Sequence, residues 1–396
     1  MNILLLNAGN TYNYGSMMMA ENLIHYMHQE APEDEFWIHG DELHVQRLRE
    51  ATGLDSLKAV TFSELIWCKK IRIADVLHRA GIPVLSPLAK RMDRIYFLGG
   101  DDFTEIYGSR QLVWCLKMID MLKQKNQNYM ALVGQTIGPF SAEIEQKAID
   151  IFQKMDMISL REEKSFDYLK KKGVQRIEMT SDLALLPLCR EPQVQKILPD
   201  RKKQVLFCPS QIMHHYAKID DVKQFRDLNE KIARKVLEDP ELRLVILPHV
   251  FDDRTHGDVE AAEDLYERLA DQKDRVELIG EPVLPYQVRE MIYRSRFIVA
   301  ERMHPAISGL ECETPSLVFS YGRKYEGIFE KMYGLGKTVI DMRNYDDYHI
   351  IWKDVQTAMD YIAQNLEDLS SRIAARNQVS QAEVRKHIQQ LVTHLR

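Results

Sequence analysis

The segment Glu301-Arg302-Met303-His304-Pro305 gathers a permanent cation, a side chain able to move a proton near neutral pH, and a proline into one short turn. The Arg302 guanidinium is a planar fork suited to a carboxylate or a phosphate. Pro305 reads as the first residue of a helix, where its missing N–H would have had no partner anyway. The backbone donors and dipole of that helix would then favour an anion. The bland alternative is that Arg302 pairs with Glu301 or another acid and His304 only caps the helix. Two ligand-competent groups coincide at the tip of the apolar run Phe297–Ala300, so Arg302 and His304 are taken as catalytic candidates.

Other turns carry candidate contacts. The first loop runs from Asn7 to Ser16, with Gly9, Gly15 and the contact candidate Asn13; it is not GxGxxG, so a dinucleotide site is poorly supported. Leu98-Gly99-Gly100-Asp101-Asp102 offers glycines at which a backbone can approach a ligand, and carboxylates that can bind sugar hydroxyls or take a proton. Asp102 is the catalytic candidate there, and Gly99, Gly100 and Asp101 are binding candidates; a carboxylate that merely caps the loop is the competing reading. In Gly134-Gln135-Thr136-Ile137-Gly138-Pro139-Phe140 the contacts would be Gln135 and Thr136, and Arg161 ends another apolar run. Arg161 either reaches across a cleft towards Arg302 or pairs with Glu162 or Glu163. His249, Tyr321 and Lys324 also follow apolar runs. His249, Asp252, Asp253 and His256 match no strong metal-ligand spacing, and His214-His215 reads as a loop pair, so no metal is expected.

Elements that hold such turns in place are legible around them. Short apolar runs at Ile3–Leu6, Phe36–His39, Ile95–Leu98, Met130–Val133 and Met157–Leu160 alternate with amphipathic segments at Ser16–Gln29, Gln111–Lys125, Ala142–Met155 and Lys164–Lys172. The rhythm resumes with strands at Val205–Cys208, Leu244–Leu247, Val276–Leu278, Phe297–Ala300 and Leu317–Phe319. This βαβα order implies parallel sheets with helices on both faces. Pro187, Pro192 and Pro199 interrupt it and mark a linker over Pro187–Lys203. The expected organisation is a Rossmann-like domain over residues 1–190, a second over 204–345, and C-terminal helices over 346–396 packing back on the body. The order of elements over residues 40–90 is not legible. Two doubly wound domains facing across a cleft bind ligands at the C-terminal ends of strands, where these turns fall.

Composition narrows the function class. A chain of 396 residues is long enough for two cores, and its net charge of −6 lacks the dense basic face of a nucleic-acid binder. Five scattered cysteines without a CxxC pair suit reduced thiols. The apolar start Ile3–Leu6 is too short for a leader, and no stretch reaches the ~20 residues of a membrane span, so a cytoplasmic protein is expected.

Taken in order, Asn13-Tyr14-Gly15, Gly99-Gly100-Asp101, Gly134–Phe140, Ser159-Leu160-Arg161, Ser181-Asp182, Arg302-Met303-His304, and Tyr321 with Lys324 resemble the polysaccharide pyruvyl transferase family. The resemblance covers most of the chain. It implies a GT-B-like fold, a C-terminal helix crossing back to the first domain, and transfer of pyruvate from phosphoenolpyruvate to a glycan or lipid-linked sugar as a ketal. It further implies an acceptor side in the first domain, a donor side in the second, donor handling by Arg302, His304 and Arg161, and no cofactor; an oligomer is compatible with it. Ser16 replaces an acid common in the family, and Gly99-Gly100-Asp101 replaces a triple glycine. The alternatives are a GT-B glycosyltransferase using a nucleotide sugar and a non-catalytic sugar-binding protein.

Overall fold

The computed structural model describes residues 1–65, 85–105, 108–125, 128–190, 202–218, 220–251 and 257–393. They form two compact units. The first comprises Met1–Thr11, Met19–Leu183 and the chain from Glu383; the second comprises Tyr12–Met18 and Ala184–Ala382. The expected linker lies largely outside the described residues.

In the first unit seven strands make one parallel sheet: β1 (Asn2–Leu6), β2 (Glu35–His39), β3 (Lys58–Val60), β4 (Arg94–Leu98), β5 (Tyr129–Gln135), β6 (Met157–Leu160) and β7 (Ile177–Met179). Their order is β3-β2-β1-β4-β5-β6-β7, so the winding reverses between β1 and β4. All five residues of β4 are buried, as expected for a strand covered by helices on both faces. Helices α1 (Tyr14–Glu30), α2 (Glu42–Thr52), α3 (Ser109–Lys125), α4 (Ala142–Phe152) and α5 (Glu163–Lys171) connect these strands. Leu112, Leu116 and Ile119 of α3 join Leu4, Phe97, Leu132 and Ile158 of the sheet in one core. The spacing of four and three along α3 is what places its apolar residues on one face.

The second unit repeats the plan with β8 (Gln204–Cys208), β9 (Arg243–Ile246), β10 (Val276–Leu278), β11 (Ser295–Ala300), β12 (Ser316–Ser320) and β13 (Val339–Asp341). The order β10-β9-β8-β11-β12-β13 is again parallel throughout and reverses between β8 and β11. Its helices are α6 (Val222–Leu237), α7 (Val259–Arg268), α8 (Pro285–Tyr293) and α9 (Met303–Glu311). After β12 the chain makes one short helical turn, Arg323–Tyr325, that continues as π-helix over Glu326–Met332.

Helix α10 (Tyr348–Gln364) packs in the second unit, and the long α11 (Leu366–Thr393) starts there. Asn377 of α11 donates to the Leu310 carbonyl at 2.6 Å and accepts from the Tyr333 hydroxyl at 2.8 Å. From Glu383 onwards α11 belongs to the first unit. There the buried Arg94 guanidinium donates to the carbonyls of Leu391 and Val392, and the Tyr96 hydroxyl donates to Leu391 at 3.0 Å. A cation meeting the last free carbonyls of a helix offsets the negative end of its dipole. No helix among the described residues is long and apolar enough to cross a membrane.

Candidate functional site

In doubly wound sheets the strand ends beside the reversal point splay apart, and ligands bind there. The motifs fall on those ends. In the second unit Glu301-Arg302-Met303-His304 follows β11, and Pro209-Ser210 follows its neighbour β8. The buried Glu301 carboxylate accepts from the Ser210 N–H at 2.6 Å, joining the two strand ends. Burial pushes its carboxyl well above the usual carboxylate range.

Helix α9 begins at Met303 with Arg302 as its N-cap, so Pro305 is the third helical residue rather than the first. It still lies in the first turn, where no N–H partner is lost. His304 is thereby the second residue of the helix and presents its ring at the N-terminus. Arg302 pairs with Asp258. Its Nη2 lies 2.7 Å from Oδ1 of Asp258, and its Nε lies 3.1 and 3.2 Å from the two carboxylate oxygens. Asp258 is fully buried and also accepts from the Gln211 N–H at 3.2 Å. Its carboxyl is raised by burial, with the Arg302 charge opposing that rise. The pair fixes the direction of the guanidinium.

The half-buried His304 ring rests on Gly15. A Cβ at Gly15 would lie 2.1 Å from His304 Nδ1, so only glycine permits this approach. Asn13 caps α1 here, accepting from the N–H groups of Gly15 at 3.1 Å and Ser16 at 3.4 Å. The N-termini of α1 and α9 therefore both lie beside the imidazole. Tyr14 accepts the Val283 N–H on its hydroxyl at 2.9 Å and sets its ring edge-on to His249, with centroids 5.3 Å apart. His249 is 1% exposed, and its Nε2 has no hydrogen-bond partner. Burial first, then the positive charge of His304, Arg302 and Arg289, pushes its pKa well below the ordinary histidine value. His249 is thus a neutral imidazole. Tyr321 stacks on Tyr216 at 4.3 Å, and the buried Lys324 ammonium lies 5.1 Å from the centre of the Tyr321 ring.

In the first unit Asn7, at the end of β1, donates to Asp102 Oδ2 at 2.9 Å, bridging β1 to the loop after β4. Burial, then the neighbouring Asp101 charge, pushes the Asp102 carboxyl up to about 6. The Cα faces of the two glycines before it are packed by side chains. A Cβ at Gly99 would meet Gln135 Nε2 at 2.4 Å, and one at Gly100 would meet Arg161 Nη2 at 3.2 Å. Gln135 donates to the Phe97 carbonyl at 3.1 Å, and the Thr136 hydroxyl accepts from Arg161 Nε at 3.0 Å. Arg161 is fully buried and pairs with Asp182 at 2.6 Å, not with Glu162 or Glu163. In this structure Gly99, Gly100, Gln135, Thr136 and Arg161 form a buried brace under the Asp101-Asp102 loop.

Asp258 carries this geometry without having stood out in the sequence. Asp258 precedes a helix by one residue and looks like an ordinary cap; only the fold brings it to Arg302. Asp252, Asp253 and His256 of the weighed metal cluster lie outside the described residues. Cys115, Cys208 and Cys312 are buried thiols and Cys189 is partly exposed.

The fold is shared with sugar-nucleotide enzymes of GT-B type. UDP-GlcNAc 2-epimerase from Neisseria meningitidis, bound to UDP-GlcNAc, superposes with a TM-score of 0.59 at 12% identity, over 98% of this chain and 100% of that one. MnaA of S. aureus, with UDP, gives 0.57 at 12% identity over 94% and 90%. In sequence, the amylovoran biosynthesis protein AmsJ of Erwinia amylovora is 21% identical over 302 residues, 72% of this chain and 69% of AmsJ. The family profile described as polysaccharide pyruvyl transferase matches residues 13–323, from the cap of α1 that abuts His304 to the turn beside Tyr321. That span contains the Asp101-Asp102 loop and the Arg302-His304 turn, and the chain belongs to the polysaccharide pyruvyl transferase family, a transferase of polysaccharide biosynthesis.

Proposed function

We propose that the enzyme transfers pyruvate from phosphoenolpyruvate to two hydroxyls of a sugar, forming a cyclic ketal and releasing phosphate. The observation that carries this reading is the seating of His304 at two helix N-termini beside an aimed Arg302. Such a site suits a donor bearing a carboxylate and a phosphate. Arg302, oriented by Asp258, binds the donor anion, with Lys324 as the second cation. The buried Arg161 is assigned a positioning role instead of a direct clamp.

The chemistry needs one proton delivered to carbon. His304 gives or relays a proton to the donor's methylene carbon, leaving a cationic centre at C2. One sugar hydroxyl attacks C2 and loses its proton. The C2–O bond to phosphate then breaks, and the second hydroxyl closes the ring, losing its proton in turn. One proton taken by the methylene and one by the departing phosphate balance the two released. Asp102, with a pKa near neutrality, is assigned to orient or deprotonate the acceptor. His249, Asn13 and Tyr321 complete the set of assigned contacts.

Thermal shift separates this reading from its rival. Stabilisation by phosphoenolpyruvate and none by UDP- or GDP-sugars supports pyruvyl transfer. The reverse result replaces it with a nucleotide-sugar glycosyltransferase, the ligand class named for the structural relatives. His304→Ala is expected to lower kcat by about 10²–10⁴-fold with the fold intact. Near-normal turnover in that variant removes the proton-transfer role.

A further inference from the structure

Away from His304, the loop after β8 gathers three side chains in one place. His214 and His215 lie on a single 3₁₀ turn, Met213–Tyr216, and Asp220 stands just before Asp221, the cap of α6. The two imidazole rings have centroids 3.9 Å apart. His215 Nδ1 lies 3.0 and 3.1 Å from the two oxygens of Asp220, and His214 Nε2 lies 3.6 Å from one of them. One ligand atom from each residue falls within 4.8 Å of the others. In sequence the adjacent histidines read only as a loop pair; the turn adds a carboxylate that sequence spacing does not announce.

The distances suit an ion. Two ligands held at about 2.1 Å on one tetrahedral dication are about 3.4 Å apart. The observed 3.0 and 3.6 Å bracket that separation. His214 adds an independent sign. It is 8% exposed, and its Nε2 stands beyond hydrogen-bond range of Asp220. Its Nε2 lies 3.6 Å from Asp220 Oδ1, a separation that an ion held between the two groups would span. The scaffold is fixed from behind: the Tyr348 hydroxyl donates to the Asp221 carbonyl at 3.3 Å, and the Lys218 N–H donates to the Tyr345 carbonyl at 3.0 Å.

We propose that His214 Nε2, His215 Nδ1 and the Asp220 carboxylate bind one zinc-like divalent transition-metal ion, with water completing its coordination. Two imidazoles and one carboxylate favour zinc, cobalt, nickel or copper over magnesium or calcium. The ion would act on the transferase through Tyr216, the residue after the pair, whose ring stacks at 4.3 Å on Tyr321. Fixing the turn would fix that stack, so the ion is assigned a positioning role.

The test uses tag-free, chelator-treated full-length protein titrated with Co²⁺, read by visible absorption, and with Zn²⁺, read by calorimetry. The expected result is one ion per chain and a tetrahedral cobalt spectrum. Affinity should fall at least tenfold in His215→Ala and in Asp220→Ala, both of which alter half-exposed or exposed side chains and leave the core untouched. Magnesium should not compete. Absence of saturable binding, or wild-type affinity in both variants, overturns the assignment. Both readouts are independent of phosphoenolpyruvate, so failure here leaves the pyruvyl-transfer reading standing.

Discussion

Gly15→Ala tests the geometry of the active site without touching a reactive group. The new methyl would sit 2.1 Å from Nδ1, 2.2 Å from Cγ and 2.6 Å from Cβ of His304. Carbon contacts settle near 3.5 Å, so the ring must retreat by about 1–1.5 Å. Rotation about χ1 cannot supply all of this, because the His304 Cβ itself is too close. The backbone at Gly15 accepts alanine, since its φ is not in the left-handed region and the residue lies in α1. Alanine gains up to about 1 kcal/mol in helix propensity, against roughly 1–3 kcal/mol for overpacking. Net stability should therefore fall by no more than about 2 kcal/mol, a shift of a few degrees in Tm. Catalysis should suffer more: a displacement of about 1 Å at a reacting group costs on the order of 10²-fold. The assay is phosphate release from phosphoenolpyruvate with an acceptor glycan, alongside thermal melting. In the His304→Ala background Gly15→Ala should have little further effect on kcat, because the ring it displaces is already gone. Wild-type turnover in Gly15→Ala, or full additivity in the double variant, would refute the claim that Gly15 positions His304 for catalysis.

Asp102→Asn should abolish the acidic limb of the kcat/KM profile, which in the wild type should fall below about pH 6 as this carboxylate protonates. The same raised pKa means that the native state binds this proton more tightly than the unfolded chain. Asp102 ionisation therefore costs stability as pH rises from its ordinary value near 4 to about 6, and Asp102→Asn should gain up to roughly 3 kcal/mol at pH 7, read by urea unfolding at pH 5 and pH 7. Arg302→Lys and Asp258→Asn should each raise donor KM, the first by loss of the fork and the second by loss of its aim; an unchanged donor KM in both would make the pair purely structural. Asp182→Asn strands the buried Arg161 charge and should cost about 3–5 kcal/mol, while Arg161→Met with Asp182→Leu should cost less, as thermal melting will show.

The alternation of apolar runs and amphipathic segments made both parallel sheets legible, because interior parallel strands must be apolar on both faces. Short edge strands such as β3, β7 and β13 lacked that pattern, having only one covered side and three residues each. The strand-end turns were legible too, since glycine, proline and charged residues interrupt apolar runs there. Their internal wiring was not. Gln135 and Arg161, distant in sequence, pack against the Cα of Gly99 and Gly100. An acid that pairs with Arg302 proved to be Asp258, 44 residues away in sequence.

Local sequence thus determined the class of elements, the position of the turn after β11, and the presence of an arginine and a histidine on it. Family membership was likewise readable, because its motifs are short contiguous strings. Tertiary structure alone decided which way Arg302 points, what His304 rests on, and that Arg161 pairs with Asp182 while burial raises the Asp102 carboxyl. The physical reason is that propensity and periodicity act over neighbouring residues, whereas the pKa of Asp102, the neutrality of His249 and the seat on Gly15 arise from burial and charges brought together by the sheets.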